Sequence, residues 1–225
     1  MIPWIQLGKA IVPGGDGELR LMQRGAEFAI MLNRAELMNS RRAGSEEALA
    51  TLACARLRDR QRAHLLIGGL GLGFTLRAAL GELGPQAKVT VAELVPEVIA
   101  WAHGPLTPVF GTLLDDTRAD IRETDVGALI RSAPSAYDAI LLDTDNGPDG
   151  LSRKANDGLY DAAGLDAARV ALRPGGVLAV WSAATDANFT KRLRRAGFAV
   201  EELNARSRGT RGARHVIWIA TRPAR

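Results

Sequence analysis

Residues 63–73 read AHLLIGGLGLG, an apolar run that ends in glycines at Gly69, Gly71 and Gly73. FTLRAALGEL follows with helical spacing, and twenty residues beyond Gly73 a second apolar run, VTVAEL, carries Glu93 near its end. A strand, a glycine turn, a helix and an acidic strand end, in that order, predict a doubly wound domain holding an adenosine-type ligand. The glycines let the backbone turn sharply and approach the ligand. The Glu93 carboxylate would accept hydrogen bonds from the ribose hydroxyls.

The glycine spacing narrows the ligand. A dinucleotide fingerprint reads G-x-G-x-x-G, and the frame starting at Gly69 places Phe74 where its last glycine belongs. A G-x-G-x-G turn without a pyrophosphate clamp suits a nucleoside with a short sulfonium tail, such as S-adenosylmethionine. Gly68, Gly69, Gly71 and Gly73 are the expected cofactor turn.

Outward from this turn the pattern alternates. Strands are expected at about 64–68, 88–93, 118–123, 137–143, 176–182, 197–203 and 214–221, with helices near 73–83, 95–103, 125–132, 158–172 and 186–196. Such alternation implies an α/β fold, with a mostly parallel Rossmann-like sheet covered on both faces. No helix separates the last two strands, so they can pair antiparallel across a basic, flexible loop, NARSRGTRGA. A seven-stranded sheet with an antiparallel last strand follows. Residues 1–42 read as a small N-terminal β element, with GELRLM and EFAIML forming a hairpin and AELMN a third strand. Residues 43–225 form the main domain, whose first helix is expected to start at Ser45 as N-cap, with Glu46 and Glu47 in its first turn.

Composition sets the class. The chain has 225 residues, 47% of them apolar and 24% charged, which suits one soluble globular domain with a small appendage. No apolar stretch reaches the roughly 18 residues of a membrane span. The N-terminus lacks a basic region ahead of an apolar one, so no secretory signal is expected. One cysteine, Cys54, cannot form an internal disulfide and suits a cytoplasmic location. The formal charge is +4, and residues 191–225 hold ten Lys and Arg against Glu201 and Glu202. That excess could attract nucleic acid, but no aromatic residues alternate with the arginines to form a stacking platform.

Ligands of open α/β sheets sit beyond the carboxyl ends of the strands. Asp125, after the third of these strands, could accept from the adenine amino group, and it also reads as the N-cap of DVGALI. The fourth strand, in YDAILLDTDNGP, ends at Asp143, with Asp145 close by. A carboxylate beside a protonated amine can hold the cation and take its proton as a bond forms. Asp145-Asn146-Gly147-Pro148 also reads as a simple tight turn. Trp181, at the end of the fifth strand, is either a packing residue or a wall of the acceptor pocket. His64, His103 and His215 are scattered, and no metal site is expected.

Taken together, these pieces resemble the spermidine synthase family, the polyamine aminopropyltransferases. ELMNSRRAGSEEAL stands where that family admits substrate, IGGLGLG matches its glycine motif and VAELVPEVI its ribose-binding strand end, Leu94 included. YDAILLDTDNGPDG resembles its aspartate motif, and LYDAAGLDAARVALRPGGVLAVWSA resembles the segment ending in its fifth strand. The resemblance implies a homodimer, an amine or polyamine acceptor, and a substrate-binding role for Glu47. The departures matter as well. The family usually has an aspartate inside the glycine motif, where this chain has Leu70, Gly71 and Leu72. Its second motif aspartate falls on Asn146, and its usual aromatic residue falls on Ser45.

The expected protein is therefore a transferase that binds S-adenosylmethionine or its decarboxylated form without a metal. It would move a methyl or aminopropyl group to an amine, with Asp143 orienting or deprotonating the amine and Asp145 assisting. The missing glycine-motif aspartate leans toward methyl transfer, whereas the family likeness leans toward aminopropyl transfer. Two further readings stay open: a non-catalytic nucleoside-binding or interaction protein, and a nucleic-acid-modifying enzyme.

Overall fold

A computed structural model describes residues 2–14, 17–57, 59–144, 157–208 and 211–224. Two sheets build it. The N-terminal sheet is antiparallel in the order β1 (Ile5–Ile11), β2 (Glu18–Arg24), β3 (Glu27–Leu32) and β4 (Ala35–Asn39). The hairpin and third strand expected from the sequence are β2, β3 and β4. β1, which the sequence reading missed, pairs along β2, and its Ile5, Leu7 and Ile11 are exposed.

The main sheet comprises β5 (His64–Gly68), β6 (Lys88–Glu93), β7 (Ala119–Glu123), β8 (Tyr137–Leu142), β9 (Leu172–Ser182), β10 (Ala199–Arg208) and β11 (Arg211–Thr221). Its order is β10-β11-β9-β8-β5-β6-β7. β5 to β9 pair parallel, and β11 inserts antiparallel between β9 and β10. This is the α/β Rossmann-like sheet that the strand–helix alternation implies. Its strand order reverses between β5 and β8, which are parallel, and so opens a crevice above Gly68 and Leu142.

The helices are α1 (Gly44–Cys54), α2 (Phe74–Glu82), α3 (Pro96–His103), α4 (Thr107–Phe110), α5 (Val126–Ser132), α6 (Asp157–Tyr160), α7 (Ala162–Ala171) and α8 (Ala187–Arg195). Strand alternation divides the core. Leu65, Ile67, Ala139 and Leu141 pack on one face with α1, α2, α3 and residues of the N-terminal sheet such as Leu21, Phe28 and Ile30. Leu66, Ile140 and Leu142 pack on the other face with α5, α7 and α8. The apolar cluster of the first face thus runs without a break from the N-terminal sheet into the main domain.

Three local expectations are corrected. The expected helix over 158–172 is two helices, because Asp161 caps a new start by accepting from the Gly164 amide at 2.8 Å. The expected flexible loop NARSRGTRGA is largely strand, since Asn204, Ala205 and Arg206 pair with Val216, His215 and Arg214. Ser45 does not cap α1, which starts one residue earlier; buried, it donates instead to Glu46 Oε2 at 2.6 Å. At the far end of the sheet, buried Asp138 joins Arg60, Arg173 (2.6 Å) and the His64 amide (2.7 Å), away from the crevice.

Candidate active site

The strand ladders bring the carboxyl ends of β6, β5 and β8 side by side. Gly68 is level with Ala92 on one side and Leu142 on the other. The turn after β5 therefore lies between Glu93 and Asp143. At Gly69 φ is +93°, and a Cβ would sit 2.7 Å from the Asp143 carbonyl oxygen, so a side chain is excluded by both conformation and space. Gly71 lies under Met38 of β4, whose Cε would be 2.6 Å from a Cβ there. Gly68 and Gly73 do not line the crevice. Gly68 ends β5 against Thr144 and Val126, and Gly73 packs against Phe110 at the start of α2.

Above this turn lies a cavity of about 150 Å³ between the two sheets. Gly69, Gly71, Glu93, Leu94, Thr124 and Asp125 line it, together with Glu46, Asp143, Thr144 and Trp181. The N-terminal sheet roofs it with Leu19, Ile30, Leu37 and Met38, joined by Val12 just after β1. Those five residues lie outside the sequence-derived site. The apolar residues of β2 to β4 mark four of them, and Val12 carries no such mark.

Glu93 is buried, and its carboxylate accepts from the Leu70 amide at 2.9 Å and the Val95 amide at 2.8 Å. Burial pushes its pKa up, while those amides pull it down. The carboxylate thereby ties the glycine turn to the end of β6. Asp125, half-buried, accepts from the Ala128 amide at 2.9 Å as the cap of α5 while lining the cavity. One aspartate thus serves the cap and faces the ligand crevice.

Asp143 accepts a 2.6 Å hydrogen bond from Thr75 Oγ1 of α2. Burial raises its pKa to about 6, against the lowering effect of that bond. Asp145 lies outside the described residues. Glu47 is exposed and does not line the cavity; its neighbour Glu46 does. The reason is helical phase: Glu46 shares a face of α1 with buried Leu49, Ala50 and Ala53, whereas Glu47 shares one with exposed Thr51. That periodicity was the signal available in the sequence. Burial first, then Asp143, raises the Glu46 pKa to about 7.

Cys54 is buried, and its thiol is pushed up to about 12, chiefly by burial, as suits a packing residue. Among the described residues no cluster of His, Cys, Asp and Glu could hold a metal ion. None of the described helices is long and apolar enough to cross a membrane.

No protein-family model matches the chain. Polyamine aminopropyltransferase 2 of Pseudomonas aeruginosa is 32% identical over 126 residues, covering 54% of this chain and 34% of that protein. Polyamine aminopropyltransferase 1 of Streptomyces coelicolor is 32% identical over 147 residues, covering 62% of this chain and 27% of that protein. The matches thus span about a third or less of these relatives' own length. A spermidine synthase crystallised with the transition-state analogue AdoDATO superposes with a TM-score of 0.74 over 98% of this chain and 73% of that one, at 18% identity. The spermidine synthase of Thermotoga maritima gives the same TM-score and coverage at 16% identity. These names give no support to the lean toward methyl transfer. The chain is thus similar over part of its sequence to polyamine aminopropyltransferases, and in fold, on its Rossmann-like sheet, to spermidine synthases.

Proposed function

We propose that the protein is an aminopropyltransferase, which takes decarboxylated S-adenosylmethionine as donor and a small amine or polyamine as acceptor. One observation carries this reading. A cavity at the strand ends of a sheet like that of spermidine synthases is lined by Glu93 and Asp125, the acids expected to meet a nucleoside, and by two further carboxylates, Glu46 and Asp143. The carboxylates would repel the carboxylate of ordinary S-adenosylmethionine and attract an ammonium. This reverses the preference drawn from the missing glycine-motif aspartate.

Within this reading, Glu93 and the glycine turn hold the ribose, Leu94 flanks it, and Asp125 meets the adenine. The acceptor nitrogen, once neutral, attacks the aminopropyl carbon bonded to sulfur. The new C–N bond forms as the C–S bond breaks, and the electron pair leaves on sulfur, giving the neutral thioether methylthioadenosine. The proton released from nitrogen passes to Asp143, with Asp145 assisting and Trp181 walling the acceptor side. Fixing nitrogen and carbon in line supplies much of the rate. The homodimer and a cytoplasmic location belong to the same reading, and exposed Ile5, Leu7 and Ile11 offer an apolar face for pairing.

The test is direct. Purified protein is incubated with decarboxylated S-adenosylmethionine and putrescine, and the products are read by mass spectrometry. Methylthioadenosine and aminopropylated amine in equal amounts are expected. Methylated amine from ordinary S-adenosylmethionine, with no product from the decarboxylated donor, would overturn the proposal.

A further inference from the structure

Glu46 and Asp143 reach the cavity from different elements, the first turn of α1 and the end of β8. Among the described residues neither has a Lys, Arg or His partner. Each instead receives one hydroxyl bond, from Ser45 to Glu46 and from Thr75 to Asp143, both 2.6 Å. The Thr75 hydroxyl also lies 3.4 Å from the Glu46 carbonyl oxygen, so one side chain meets both acid-bearing elements. Two carboxylates without a cation are costly in such a setting, and the roof over them is apolar. Trp181 stands at the adjoining strand end, one place beyond the Leu142–Val180 pair, and its buried indole N–H has no partner among the described residues. Acids for a charge, apolar walls for methylenes and an aromatic ring for a cation's flank form the complement of an alkylammonium chain.

Resting on the transferase reading above, we infer that Glu46 pairs with Asp143 to grip one primary alkylammonium, making Glu46 a substrate-binding and specificity-determining residue. The same chemistry is carried by the aminopropyl end of the donor and by a diamine acceptor. Without a cation, burial and mutual repulsion keep a proton on the pair; an arriving ammonium favours both charged forms and expels it. The other acids in or near the cavity, of which Glu47 lies outside it, are accounted for separately. Glu93 is held by the Leu70 and Val95 amides and Asp125 by the Ala128 amide, while Glu47 adds a small repulsion from α1 itself.

Calorimetry tests this with three probes: methylthioadenosine, decarboxylated S-adenosylmethionine, and putrescine added over methylthioadenosine. Each is titrated near pH 6.5 in two buffers of different ionisation enthalpy, which counts the protons released. In Glu46→Gln, affinity for an ammonium-bearing probe is expected to fall at least about tenfold. The proton release seen with the wild type should vanish, while methylthioadenosine binds unchanged. Glu47→Gln should behave as wild type. A loss confined to the decarboxylated donor assigns the grip to the donor amine, and a loss confined to putrescine assigns it to the acceptor; either supports the inference. Unchanged ammonium affinity and unchanged proton release in folded Glu46→Gln overturn it. A wild type that fails to bind methylthioadenosine refutes the transferase reading itself, and this inference with it.

Discussion

The Thr75 hydroxyl donates a 2.6 Å hydrogen bond to Asp143 Oδ2, locking the first turn of the glycine-loop helix to the acid at the end of β8. The bond favours the charged carboxylate against the burial that disfavours it. Thr75→Val keeps the shape and deletes the donor. The Asp143 pKa should then rise further, and because the base form is needed, the acidic limb of the kcat/KM–pH profile should move to higher pH. Stability should fall by about 1 kcal/mol. An unmoved limb in an active variant would separate Asp143 from proton transfer.

The glycine turn predicts an asymmetry between two substitutions. Gly69→Ala drives a Cβ against the backbone oxygen of Asp143 at φ +93°, where nothing flexible can yield. Gly71→Ala, at φ +50°, meets only the end of Met38. We expect Gly69→Ala to cost about 3 kcal/mol or more and Gly71→Ala about 1–2 kcal/mol, measured by urea unfolding. Equal costs would mean that the turn is not held as described.

Glu93→Ala should weaken methylthioadenosine binding at least about tenfold, or about 1.4 kcal/mol, through lost charge-assisted hydrogen bonds. It also strips the Leu70 and Val95 amides of their acceptor, so a lower melting temperature should accompany the weaker binding. Glu93→Gln keeps an acceptor oxygen and should recover part of both. A wild-type dissociation constant in Glu93→Ala would move the nucleoside elsewhere.

The acid pair gives stability a pH signature. Both pKa values are raised on folding, to about 7 for Glu46 and about 6 for Asp143, so the folded state binds more protons than the unfolded chain. Stability from this source is therefore greatest below the unfolded values and falls as pH rises through the folded ones. Depressed carboxylates such as Asp116 and Glu27 act in the opposite sense at lower pH, as does half-buried His64 with its lowered pKa. The pair is isolated by comparison with Glu46→Gln. In thermal melts the variant should exceed the wild type at pH 8, and the gap should close toward pH 5. A gap independent of pH would argue against a coupled pair.

Much of this was legible in the chain because it is written in short-range chemistry. AHLLIGGLGLG places a strand, a turn and a helix within a few residues, and Glu93 follows at the distance one crossover requires. Alternation of strand and helix patterns implied the mostly parallel sheet, and Asp125 was readable as both a cap and a site residue. Less visible were features that depend on phase or on distant partners. Glu46 and Glu47 are adjacent and alike in composition, and only the packing of Leu49 and Ala50 decides which faces the cavity. β10 and β11 extend through an arginine-rich stretch because each supplies the other's hydrogen-bond partners, although neither segment has strong strand character there.

By itself, then, the order of residues determined the doubly wound sheet, the position of its glycine turn and the acids at its strand ends, since each rests on local periodicity and backbone conformation. Tertiary structure alone decided that the N-terminal sheet roofs the crevice and that Glu46 and Asp143 line the same cavity. Those elements are far apart along the chain, and burial of their shared apolar surface is what brings them together.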